Sequence, residues 1–186
     1  VDTPQQKVVY EDQSVTVETV PLRHRVPCCG YIFREKPTLP HIRRDMIDYY
    51  GIPLSQINNI KNGADWTTPE GNIVSNSRLV EPADAPRSYA YCSDTCYLPG
   101  LYERVKDVTV LYHESTYTSE NEDRAKIYYH STARQAALVA QKAGAGRLLL
   151  GHYSARYNNE NVLLEEAKAV FPESYLSQEG MVFEVK

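Results

Sequence analysis

The stretch 147-RLLLGHYS-154 sets a strand directly against a polar turn. Leu148, Leu149 and Leu150 are apolar at consecutive positions, so both faces of the extended chain are apolar, as in a strand covered on both sides within a parallel sheet. Outward from it the chain alternates. A strand over Ser88–Cys92, a helix over Leu98–Val105, a strand over Val108–Tyr112, a helix over Thr132–Lys142, the strand Arg147–Leu150, a helix over Val162–Phe171 and a strand over Met181–Val185 predict a layered α/β protein. Further upstream, SVTVETVPL at 14–22 and GYIFR at 30–34 read as a hairpin-like pair of strands. Between these regions the character changes, with prolines at 37, 40, 53, 69, 82 and 86 and turn chemistry at Asn62-Gly63 and Glu70-Gly71. Short amphipathic helices are expected there near His41–Tyr50 and Leu54–Lys61. Residues 34–82 are therefore expected to form an arm inserted in a single domain spanning 1–186.

The chain of 186 residues is 42% hydrophobic, enough for one globular core. No run approaches the roughly 18 apolar residues of a membrane span, and the opening VDTPQQKVVY has no basic region followed by an apolar one, so no membrane partner and a cytoplasmic location are expected. That opening, without a methionine and running almost at once into strand-like alternation, fits either a truncated or a processed chain. Cys28, Cys29, Cys92 and Cys96 lack the spacing of a disulfide framework or a zinc knuckle, so reduced thiols are expected. With a net charge of −4 no global field attracts nucleic acid. The basic residues concentrate between Arg23 and Arg44, where Arg23, Arg25, Arg34, Lys36, Arg43 and Arg44 face one acid, Glu35. Either this is a solvated surface or it is where a polyanion is gripped.

In open α/β sheets ligands bind beyond the carboxyl ends of the strands. Ser93-Asp94-Thr95, His113-Glu114-Ser115-Thr116 and Gly151-His152-Tyr153-Ser154 each follow such an end. Singly, Asp94 could be a helix N-cap, Glu114 a turn acid and His152 a loop imidazole; three equivalent placements favour a shared site. His130 joins them ahead of Thr132-x-x-Gln135, which has capping-box spacing, so free N–H groups suited to an anion are expected beside an imidazole that could protonate a leaving oxygen. An aspartate with histidines suits zinc or manganese, and two such ions can clamp a phosphodiester for hydrolysis. The five histidines, at 24, 41, 113, 130 and 152, are dispersed, so the chain is not expected to complete a dinuclear site.

His113-Glu114-Ser115-Thr116, Tyr129-His130-Ser131-Thr132 with Gln135-Ala136-Ala137, and His152-Tyr153-Ser154-Ala155-Arg156-Tyr157 resemble successive signature segments of the ribonuclease Z family, of the metallo-β-lactamase superfamily. The resemblance extends over essentially the whole chain. It implies the C-terminal portion of an αββα sandwich with a tRNA-binding arm in the interval 34–82. Leu22-Arg23-His24 followed by Cys29-Gly30-Tyr31 resembles the segment carrying a histidine ligand, and Ser93-Asp94-Thr95 the one carrying a metal-bridging aspartate. The resemblance thus implies metal ligation by His24, Asp94 and His152, handling of the scissile phosphate and leaving group by Glu114 and His130, and assistance from Arg156. It further implies two divalent ions, zinc or manganese, and precursor tRNA rather than DNA as substrate, cut after the discriminator base to leave a 3′-hydroxyl. A homodimer is implied too. Arg34, Lys36, Arg43 and Arg44 are expected to contact RNA. The family's Glu-Ala-Thr is Glu-Ser-Thr here, and its His-x-His-x-Asp-His cluster is absent, so the chain by itself is expected to be inactive. The rival expectations are another phosphodiesterase or hydrolase of the superfamily and an inert scaffold or RNA-binding module.

Overall fold

The structure, a computed structural model, describes residues 5–186. The expectation about how the chain opens falls partly on Val1–Pro4, which lie outside the described residues. The chain divides into two compact units, one being Lys36–Pro86 and the other the sequence on either side of it.

The larger unit begins with β1 (Val8–Glu11), β2 (Val15–Pro21) and β3 (Cys29–Glu35). The smaller unit holds β4 (His41–Ile42), α1 (Arg44–Tyr50), α2 (Leu54–Lys61), β5 (Trp66–Thr67), β6 (Ile73–Val74), α3 (Asn76–Leu79) and β7 (Val80–Glu81). Ile52, Ile60, Val74 and Leu79 form its buried core, with Trp66 and Met46 packed against them. Of the two helices expected there, α2 has the expected limits. The first starts only at Arg44, because His41–Ile42 pairs antiparallel with β7.

The larger unit resumes with β8 (Ser88–Cys92), α4 (Leu101–Arg104), β9 (Val110–Glu114), α5 (Glu122–Tyr128), α6 (Ala133–Ala143), β10 (Arg147–Gly151), α7 (Asn161–Lys168) and β11 (Ser174–Leu176). Its seven strands form one sheet in the order β1-β2-β3-β8-β9-β10-β11. The pairs from β1 to β8 are antiparallel and those from β8 to β11 parallel. Successive side chains of a strand point to opposite faces. Ala90, Cys92, Leu111, Leu148 and Leu150 share one buried core with Leu101, Val105 and Leu163 of the α4 and α7 regions and with α6. Ala133, Ala136, Ala137, Ala140 and Ala143 of α6 are all buried there. Their spacing of three and four puts them on one helix face, and their small size lets the helix lie close on the sheet. The alternate residues include Tyr89, Val110 and Leu149, and Tyr91 and Tyr112 stack at 4.7 Å between centroids.

Several helix and strand limits differ from expectation. Strand β9 starts and ends two residues later than Val108–Tyr112, so His113 and Glu114 lie within the strand rather than after it. Helix α4 is shorter because Leu98 precedes Pro99, a position biased away from helical backbone, and α7 stops at Lys168 ahead of Phe171-Pro172 for the same reason. The last strand is Ser174–Leu176 rather than Met181–Val185. Its residues pair in parallel register with Leu148–Leu150, whereas Met181, Phe183 and Val185 line a cavity with Tyr89, Val110, Tyr112 and Leu149. Helix α5 was not expected at all, since EDRAKIY has a single buried residue, Ala125.

Candidate active site

Three adjacent parallel strands end at the same level. Cys92 pairs with His113 and Gly151 with Glu114, so the residues that follow β8, end β9 and follow β10 share one rim. Asp94 and His152 both leave their strands in the left-handed region, at φ 57° and 58°. Ligand atoms of Asp94, Glu114, His130 and His152 lie within 4.8 Å of one another, although 58 residues of sequence separate the first from the last.

Glu114 is fully buried and accepts four kinds of donor. Thr95 N–H donates at 2.5 Å, Thr116 Oγ1 at 2.7 Å and Ser131 N–H at 2.9 Å, while His130 Nδ1 lies 3.1 and 3.2 Å from the two carboxylate oxygens. Burial alone would raise the pKa of this carboxyl; the hydrogen bonds from His130, Ser131 and Thr116 outweigh it and hold the group below its usual range. The reciprocal effect raises the pKa of His130, first through its bond to Glu114 and against the opposing effect of burial.

Three imidazoles gather here, each tied through Nδ1. His24 Nδ1 is 3.0 Å from the Tyr129 carbonyl, His130 Nδ1 binds Glu114, and His152 Nδ1 is 3.0 Å from Thr116 Oγ1. The Tyr129 carbonyl and the carboxylate accept only, so Nδ1 of His24 and His130 carries the proton. With the Thr116 hydroxyl donating to Glu114, Nδ1 of His152 donates as well. Every Nε2 of the trio is then available to a cation or a substrate. The rings adjoin, with centroids 5.1 Å apart for His24–His130 and 5.2 Å for His130–His152. His24 stands outside the four-residue group. The His152 Nε2 lies 2.9 Å from Asp94 Oδ1, a spacing at which both atoms can bind one ion as neighbouring ligands. The donor chemistry fits a divalent ion held by Asp94 and His152. Glu114, already surrounded by donors, fits a supporting place instead.

The capping box of α6 is as expected: Thr132 Oγ1 accepts from Gln135 N–H and Gln135 Oε1 from Thr132 N–H. The expected free N–H groups are not. Ser131 N–H serves Glu114, Ala133 N–H the Tyr117 carbonyl and Arg134 N–H the Glu166 carboxylate at 3.0 Å. Two carboxylates from the protein thus meet the positive end of this helix, and no anion site is left there. The alternative of Asp94 as a helix N-cap fails too, since α4 begins seven residues later.

Arg156 binds Asn121 Oδ1 at 3.0 Å and lies 5.3 Å over the Tyr117 ring, whose centroid is 6.2 Å from that of His130. Arg34 faces Glu18 at 3.6 Å in the larger unit. In the smaller unit Arg43 pairs with Asp45 at 3.0 Å, Arg44 is the exposed first residue of α1, and Lys36 is half-buried. All four cysteines are free thiols; Cys92 is buried, which pushes its pKa up to about 12. Sequence reasoning assigned no role to Thr116, whose hydroxyl joins Glu114 to His152, nor to the carbonyl of Tyr129. Thr116 had a signal, being two residues beyond Glu114; Tyr129 had none.

A mixed sheet with helices on one face and an Asp/Glu/His cluster beyond its parallel strands corresponds to one sheet-and-helix half of the αββα metallo-β-lactamase sandwich. Solved structures agree. The metallo-β-lactamase-fold protein YhfI of Bacillus subtilis superposes with a TM-score of 0.60 at 18% identity, covering 97% of this chain and 52% of that one. The short form of human tRNase Z gives 0.55 at 19% identity, covering 97% and 47%. No family profile matches the chain. It is, however, 52% identical over 180 residues to ribonuclease Z of Bacteroides fragilis strain YCH46, which is 97% of this chain and 59% of that protein. It is 48% identical over 185 residues to ribonuclease Z of Phocaeicola vulgatus, covering all of this chain and 60% of the relative. The chain belongs to the ribonuclease Z family and spans about three-fifths of the length of the curated relatives it matches.

Proposed function

We propose that this chain is part of a metal-dependent endoribonuclease that removes the 3′ trailer of precursor tRNA, cutting after the discriminator base to leave a 3′-hydroxyl. The observation that carries the reading is the set of three imidazoles tethered through Nδ1 around Asp94 and a donor-saturated Glu114. The fold alone would admit other hydrolases of the superfamily; 52% identity to a ribonuclease Z favours this one.

Asp94, His152 and His24 hold divalent ions, zinc or manganese, two in the complete protein, with the remaining ligands supplied from outside this chain. Bound ions supply Lewis acidity toward the phosphate and an activated water. Glu114 fixes His130 so that its Nε2 protonates the leaving O3′, a task suited by the raised pKa of that imidazole. Arg156, held by Asn121 and Tyr117, offers charge to the phosphate. Arg34, Lys36, Arg43 and Arg44 contact the RNA backbone at the entry of a tRNA-gripping arm over 34–82; RNA, not DNA, is the substrate. The pairings of Arg34 with Glu18 and of Arg43 with Asp45 mean that RNA must compete for those two. The complete protein acts as a cytoplasmic homodimer; among the described residues no helix is long and apolar enough to cross a membrane.

In the complete protein, Asp94→Ala should abolish turnover of precursor tRNA and reduce bound metal, whereas His130→Ala should lower turnover with metal content nearly intact. Equal metal loss in both would refute the division of roles. This chain alone should not turn over precursor tRNA with added zinc or manganese; turnover would sink the ligand assignment. Charge reversal at Arg43 and Arg44 should raise KM for precursor tRNA and flatten its salt dependence without affecting a small phosphodiester.

A further inference from the structure

A cavity of about 450 Å3 has His130 in its wall, with Arg23, Tyr97, Lys126, Tyr129 and Gln135. Of the carboxylate–imidazole group only His130 reaches it; Asp94, Glu114 and His152 do not line it. The volume is within the roughly 300–1,000 Å3 of sites that take small ligands, ample for one nucleoside. Its chemistry is that of a nucleotide subsite. Tyr97 and Tyr129 line it, and the Arg23 guanidinium lies 5.9 Å over the Tyr129 ring, so the Tyr97 ring and the guanidinium plane are the surfaces against which a base can stack. Arg23 and Lys126 supply positive charge for a flanking phosphate against one acid in the wall, Glu122. Gln135 supplies orientation. Its Oε1 is committed to Thr132 N–H at 3.0 Å, so its Nε2 is the end left to donate to a base acceptor.

We propose that this cavity binds the nucleotide whose O3′ leaves, the discriminator nucleotide, and that Gln135 and Tyr97 are specificity-determining residues within it. The inference rests on the tRNA-cleaving function proposed above. If His130 protonates O3′, the nucleotide carrying that oxygen must lie on the side of His130 where there is room for it, and this cavity is that room.

Gln135→Glu separates the site from the fold, because glutamate completes the same capping box while replacing the Nε2 donor by an acceptor. In the complete, metal-loaded protein, kcat/KM for precursor tRNA should fall tenfold or more, and less than twofold on a precursor that is abasic at the discriminator position. An equal fall on both substrates assigns the loss to the added charge and overturns the proposal. Independently of turnover, a product tRNA ending in 2-aminopurine should lose fluorescence on binding. Tyr97→Leu should abolish most of that quenching, whereas 2-aminopurine placed one nucleotide upstream should respond equally in both proteins. Unchanged quenching in Tyr97→Leu overturns the stacking assignment. Failure of the unmodified protein to cleave precursor tRNA refutes the underlying function; cleavage without coupling to the discriminator base refutes the subsite alone.

Discussion

Replacing Thr116 by valine deletes one buried hydroxyl and nearly conserves shape. That hydroxyl is 2.7 Å from Glu114 Oε2, 3.0 Å from His152 Nδ1 and 2.9 Å from the His152 carbonyl. Its single proton goes to the carboxylate, the shortest of the three contacts. A hydrogen bond to a charged group contributes about 1.5–3 kcal/mol, and removing one partner from a buried carboxylate leaves a desolvation cost that water cannot offset. Glu114 is completely buried and Thr116 is 5% exposed, which places the expected loss in the upper half, about 2–3 kcal/mol. At roughly 2–4 °C per kcal/mol for a chain of this size, the melting temperature should fall by about 4–12 °C. His152 also loses the acceptor that fixes its Nδ1 proton, so zinc affinity should fall about 10–100-fold. Calorimetry of the metal-stripped protein reads the first effect, and competition with a chromophoric chelator reads the second. Thr116→Ser should restore both. Wild-type zinc affinity in a destabilised Thr116→Val protein would reduce Thr116 to a structural role, and an unchanged melting temperature would refute the network itself.

Two further perturbations follow from close contacts. A Cβ added at Gly151 would lie 2.1 Å from the Tyr112 hydroxyl oxygen and 2.5 Å from its Cζ, so Gly151→Ala should cost about 1–3 kcal/mol in urea unfolding, and a second change, Tyr112→Ala, should recover part of it; strict additivity of the two losses would contradict the clash. Glu35 is chelated by Arg87, whose Nε and backbone N–H each lie 2.9 Å from one carboxylate oxygen, and the guanidinium holds its carboxyl below the usual 4.5. A depressed folded pKa stabilises above the unfolded value and is lost as pH falls through the folded one, so between about pH 5 and 3 the melting temperature of the native protein should drop more than that of Glu35→Gln, and parallel curves would refute the linkage.

What was legible in the sequence had a local cause. The leucine run 148–150 announced β10 because its neighbours on both sides are in the chain, and Thr132-x-x-Gln135 announced the start of α6 because a capping box is closed within four residues. The rim site was legible as three polar turns after three strands. Its internal wiring was not, since the acceptors that fill the α6 terminus come from as far along the chain as Glu166, which receives the Arg134 N–H. Helix α5 was invisible for a related reason: with one buried side chain it has almost no apolar period to read. Met181–Val185 has the alternation of a strand, and alternation does not reveal whether the neighbouring edge has already been taken by Ser174–Leu176.

Asp94 and His152 sit where the backbone itself would accept glycine. Non-glycine residues at positive φ are uncommon, with aspartate and histidine among the better tolerated, and holding them there costs of the order of 1 kcal/mol or more. Glycine would remove that strain while loosening the unfolded chain by a comparable amount, so Asp94→Gly and His152→Gly should leave folding nearly unchanged. A variant library screened for expression or thermal survival would therefore pass both, and accumulate well-folded proteins stripped of the two side chains that face each other at the rim.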